Sequence, residues 1–154
     1  MRLPRLGSRG QGWVYGQFVL IGLVVVACAA GPRWSAPAVF WAGLACAALG
    51  VASGLWAFRS LGAALSPYPP PRRQGVLVEH GPYRWVRHPI YSSGLLALLG
   101  LCFVGSWWGL PLLAVLLLWW LAKSHVEEEY LSKYYPGYAE YCQRVRRRLI
   151  PGLL

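Results

Sequence analysis

The sequence predicts an all-α membrane protein: a multi-pass transmembrane helical bundle of about four spans, the last two a tight hairpin, with a cytoplasmic C-terminal helical tail. Three observations predict it. Hydrophobic residues make up 56% of the 154 and charged residues 13%, a balance far from that of ordinary soluble domains. The apolar residues gather into runs long enough to cross roughly 30 Å of hydrocarbon. The basic residues fall almost entirely on one side of those runs.

The first run extends from about Trp13 to Ala30, behind Arg2, Arg5 and Arg9. Its basic start and the small residues Ala27-Cys28-Ala29 also resemble a secretory leader, but the run reads as a retained span. A second run covers about Pro37 to Phe58. Gly50 and Gly54 have the small-xxx-small spacing that lets membrane helices approach closely, and Gly43 stands one heptad before Gly50. They mark either a packing groove or the glycine common in such helices. These two spans make up residues 1–58 of a single membrane domain covering 1–154.

Residues 59–89 differ in kind. Pro67, Pro69, Pro70, Pro71, Pro82 and Pro89 rule out a continuous helix, and Arg72, Arg73, Arg84 and Arg87 make the segment too polar to face lipid. It reads as a cytoplasmic loop. Residues 90–122 then form the hairpin, from Ile90 to Val104 and from Trp107 to Ala122 around the turn Gly105-Ser106. Trp107, Trp108, Trp119 and Trp120 mark its ends as interfacial aromatics do. Residues 123–154 form the polar, aromatic tail.

With four spans, 14 of the 15 Lys and Arg residues share one side and Arg33 alone lies opposite. The positive-inside rule puts both termini in the cytoplasm, in a chain integral to the cell membrane. The net charge of +10 lies against apolar runs, so the bilayer, not nucleic acid, is the expected partner. Cys28, Cys46, Cys102 and Cys142 are scattered singly, and His80 and His125 have no neighbour at ligand spacing, so no metal is expected.

Two features carry chemistry. The first is GVLVEHGPYRWVRHPIYSSG, Gly75 to Gly94, in which Gly81-Pro82 turns the chain and Pro89 suits the first turn of the third span. Arg87 and His88 thereby stand at the start of that helix, with Tyr91 following on a related face. The second is Lys123-Ser124-His125-Val126-Glu127-Glu128-Glu129 at the end of the fourth span, where Lys123 and Glu127 share a face. Either is readable alone as a membrane-flanking charge run. The hairpin brings them to one depth, where clustered ionisable groups are functional candidates.

The motif Gly-Pro-Tyr-x-x-Val-Arg-His-Pro-x-Tyr, the double Glu after the next span and a closing Tyr-x-x-Tyr…Arg…Ile-Pro resemble the isoprenylcysteine carboxyl methyltransferase family over Gly75 to about Pro151. The resemblance implies an S-adenosyl-L-methionine-dependent transferase that methylates a lipophilic or small acceptor: a carboxylate, thiol or amine. It implies cofactor contacts at Val76, Leu77, Val78, Tyr83, His88, Pro89, Ile90, Tyr91, Glu127 and Glu128, with residues 123–154 completing that site. Lys123 stands where the family has a substrate-side arginine; lysine keeps the charge but not the planar fork. Lys123, positioning the substrate, and Arg87 are the expected catalytic residues, with Arg87 also a candidate, like His88, for the methionine carboxylate. Two other classes share parts of this architecture: a membrane reductase of the sterol-reductase type using NADPH, and a non-catalytic membrane scaffold.

Overall fold

The computed structural model describes residues 6–7, 10–71 and 76–150; Arg2, Arg5, Arg9, Arg72, Arg73, Gly75 and Pro151 lie outside them. Five α-helices follow in order: α1 Gln11–Ala30, α2 Pro37–Leu61, α3 Pro89–Val104, α4 Gly109–Tyr134 and α5 Tyr138–Arg144. Single 3₁₀ turns occupy Gly62–Ala64 and Gly81–Arg84. Among the described residues the only β pairing is one isolated bridge, Arg33 to Ser106, between the two loops at the end of the bundle remote from Arg87. This is the helical membrane bundle that the sequence predicts.

Three helices, α1, α2 and α4, are long and apolar enough to cross a membrane. The fourth, α3, has 16 residues and so reaches only about 24 Å at 1.5 Å per residue. It is short because Pro89 sets its start and Gly105 its end. In contrast, α4 does not stop at Ala122. It runs on through Lys123 and the three glutamates to Tyr134, 26 residues in all. Nothing between Lys123 and Tyr134 breaks a helix, and Pro136 is the first residue that does. The tail therefore begins as an extension of the span.

The closest packing is α2 on α3. A Cβ on Gly50 would lie 2.3 Å from the Ala97 nitrogen, and one on Gly100 would lie 2.3 Å from the Ala47 nitrogen. Gly43, Ala47 and Gly50 thus form a groove that receives Ala97 and Gly100 with backbones nearly touching. Gly54 contributes less, since its nearest neighbour would be the Ser93 Cβ at 3.4 Å. Helix α1 packs on α4 instead, through Trp13 against Trp119 with ring centroids 4.9 Å apart. Trp120 wedges against Gly94 and holds α3 and α4 apart at the end nearest Arg87. That separation makes room for a site.

Candidate active site

The site starts from a turn. Gly81 has a φ of +61° and would drive a Cβ to 2.5 Å from the Ser60 hydroxyl, so a side chain is barred there on both counts. The turn buries Pro82 and Tyr83 and delivers Arg87 and His88 to the start of α3. The C-terminal segment straps onto this turn: the Arg87 and His88 N–H groups donate to the carbonyls of Arg147 (3.0 Å) and Arg148 (2.9 Å), and the Ser92 hydroxyl donates to that of Leu149. Leu149 is fully buried and locks this strap into the bundle core.

Two glutamates on α4 meet this turn, and they are used differently. Glu128 accepts from Arg87 Nε (2.8 Å), from Arg148 Nη2 (2.7 Å) and Nε (3.1 Å), and faces His88 Nε2 at 3.2 Å. Arg87 also donates to the carbonyls of Val145 (2.8 Å) and Arg146 (2.9 Å). Glu128 therefore ties α4, the start of α3 and the strap together. Glu127 accepts the Tyr91 hydroxyl at 2.6 Å and stands 3.4 Å from His88 Nδ1 and 3.5 Å from Lys123 Nζ.

Both nitrogens of His88 thus face a carboxylate, an arrangement that only the doubly protonated ring fully satisfies. Burial disfavours the charge, but the bonds to Glu127 and Glu128 outweigh it and raise the His88 pKa. Burial likewise opposes the Arg87 charge, and Glu128 overcomes it. Burial pushes the Tyr83 and Tyr141 phenols up, so both stay protonated, and Tyr141 donates to the Tyr83 carbonyl at 2.7 Å. Four cationic side chains, Arg87, His88, Lys123 and Arg148, surround two carboxylates.

A cavity of about 680 Å³ opens beside this cluster, well within the range of small-molecule sites. Trp120, Lys123, Glu127 and Leu131 line it at spacings of three and four along one face of α4. Val76, Leu77, Val78, Tyr83, Arg87, His88, Ile90 and Tyr91, all singled out in the sequence, line it too. Pro89 and Glu128 do not: Pro89 is buried as the first residue of α3, and Glu128 is taken up by its donors. His125 is exposed beside Arg148, and His80 is exposed in the loop. Among the described residues no three His, Cys, Asp or Glu side chains gather as a metal site.

The residue that sequence reasoning missed is Gln17 of α1. Its Oε1 accepts from Lys123 Nζ at 2.8 Å and from Trp120 Nε1 at 3.2 Å. Lys123, with 1% of its surface exposed, also donates to the Pro67 carbonyl at 3.3 Å. Trp120, Tyr91 and His88 stack in series, with centroids 5.2 and 5.6 Å apart. A polar residue within an otherwise apolar span was the available signal. Beyond Gln17 the cavity turns apolar, between Phe18 and Ile21 of α1 and Phe58 and Leu61 of α2.

Comparison with known proteins gives this helical membrane bundle its family. Residues 38–137, from α2 to the turn before α5, match the phospholipid methyltransferase family, and the chain belongs to it. This agrees with the resemblance carried by Arg87-His88-Pro89-Ile90-Tyr91 and the double glutamate. The chain is also similar to the cobalt-zinc-cadmium resistance protein CzcN of Cupriavidus metallidurans, 30% identical over 131 residues. The matched stretch is 82% of this chain and 56% of that relative, so the chain spans little more than half of the relative's length.

Proposed function

We propose that the protein transfers a methyl group from S-adenosyl-L-methionine to a lipophilic or small acceptor that reaches the cavity from the membrane. The observation that carries this reading is the placement of Glu127 and Lys123, 3.5 Å apart, on the wall of one cavity that is polar at one end and apolar at the other. The cofactor, when bound, supplies the activated methyl on a sulfonium, so the chain contributes binding and orientation.

The residues present fit that cofactor. Glu127, its carboxylate fixed by Tyr91 and His88, suits the ribose hydroxyls or the amino group. Leu77, Val78 and Tyr83 form an apolar and aromatic wall suited to adenine. Arg87, on the cavity wall, suits the methionine carboxylate, and His88 holds Glu127 and Glu128 in place between its two nitrogens. Glu128, with its donors already in place, keeps Arg87 and the strap in position. Lys123 faces the acceptor end. Rate comes from in-line positioning of the nucleophile.

Charge placement supports a cytoplasmic site: Arg59, Arg84, Arg87, Lys133 and Arg144 share its end of the bundle, and Arg33 lies at the other. Family membership supports a transferase over a reductase or a scaffold. Calorimetry tests this directly. The folded protein should bind S-adenosylhomocysteine and not NADPH; NADPH binding without S-adenosylhomocysteine binding would replace this reading with the reductase one.

A further inference from the structure

Gln17 has one amide oxygen and one amide nitrogen, and its surroundings decide which faces where. The Lys123 ammonium and the Trp120 indole N–H can only donate, so the group between them must be the oxygen. The NH₂ group is thereby turned away from both, and among the described residues it has no hydrogen-bond partner. Gln17 is half-buried on the cavity wall, next to Phe18 and Ile21. The NH₂ group is a free donor on the cavity wall, within reach of an accepting group there.

We propose that Gln17 is a specificity-determining residue: its NH₂ group, held in place by the Lys123 ammonium, recognises a hydrogen-bond-accepting oxygen on the methyl acceptor. The inference rests on the transferase reading for its substrate and deepens it. Three features support it. The Gln17 oxygen accepts from the Lys123 ammonium at 2.8 Å and from the Trp120 indole at 3.2 Å, which fixes the amide with its NH₂ turned away from both. The amide NH₂ can only donate, so it matches an oxygen-bearing head group and offers nothing to an alkylammonium, which is itself a donor. The apolar walls of Phe18, Ile21, Phe58 and Leu61 beyond it take a hydrocarbon chain.

The test uses the full chain in nanodiscs with three probes sharing one tail: hexadecanoate, hexadecanol and hexadecylamine. Binding is read by scintillation proximity, and S-adenosylhomocysteine affinity is read separately. The wild type should bind hexadecanoate most tightly and hexadecylamine least. Gln17→Leu should weaken hexadecanoate about tenfold, the scale of a hydrogen bond to a charged group, and leave S-adenosylhomocysteine within about twofold. Gln17→Glu should reverse the order of acid and amine. Unchanged hexadecanoate binding by Gln17→Leu would overturn the proposal. An equal loss of S-adenosylhomocysteine binding would also overturn it, by marking Gln17 as structural. A wild type that sorts the probes through Gln17 yet binds no S-adenosylhomocysteine would uphold the recognition and discard the transferase reading.

Discussion

The Tyr91 hydroxyl donates to Glu127 Oε1 at 2.6 Å, joining the first turn of α3 to α4 across 36 residues of sequence. The same phenol ring stacks between His88 and Trp120 and lies 5.3 Å beneath the Lys123 ammonium. One side chain thus meets Glu127, His88, Trp120 and Lys123. Tyr91→Phe keeps the stack and removes the hydroxyl. S-adenosylhomocysteine affinity should fall about fivefold, as expected for one hydrogen bond, with the fold intact by circular dichroism.

Glu128 acts on a different quantity. Its carboxylate gathers Arg87, His88 and Arg148, and through Arg87 it holds the C-terminal strap over the start of α3. Glu128→Gln leaves those cations short of their counter-charge. Stability should fall by about 1–3 kcal/mol. Limited proteolysis should then cut between Arg144 and Arg148 sooner than in the wild type, whereas Glu127→Gln should leave the strap protected.

The pH dependence follows from His88. Its pKa is raised on folding, so the folded state binds its proton more tightly than the unfolded state does. That stabilisation is fully present below about 6.5, the ordinary histidine value, and is lost as pH rises through the raised value. The melting temperature should therefore decline as pH rises from about 6.5 through that raised value. In His88→Gln the decline should flatten. A profile unchanged by the substitution would place the titration elsewhere.

The α2–α3 groove makes a sharper distinction between glycines. Gly100→Ala forces a Cβ against the Ala47 nitrogen and the Gly43 carbonyl, both backbone atoms that have little room to yield. It should cost about 1–3 kcal/mol in detergent unfolding, as overpacking does. Gly22→Ala meets nothing within 4 Å and should be neutral to about 0.5 kcal/mol.

Much of this was legible in the sequence, for identifiable reasons. Hydropathy marks the spans because lipid demands long apolar helices, and Gly105-Ser106 marks the hairpin because so short a link leaves no other geometry. The motif residues from Val76 to Tyr91 and Lys123 with Glu127 converge as the hairpin requires. The end of α4 was hidden, because the charges from Lys123 to Glu129 look like a membrane boundary while having good helix propensity. The strap was hidden because it works through carbonyls of Val145 to Leu149, which side-chain identity does not report. Gln17 was visible as a polar residue, but its partner Lys123 lies 106 positions away and no local pattern links them.

The most direct test of the central claim is transfer of labelled methyl from S-adenosyl-L-methionine into membrane lipid extract, comparing wild type with Glu127→Gln. The account predicts a labelled, extractable product with the wild type and a loss of at least about tenfold with the variant, which removes the charge that holds the cofactor. Equal product from both would contradict the assignment of Glu127. No product from a folded wild type that also fails to bind S-adenosylhomocysteine would contradict the transferase reading itself.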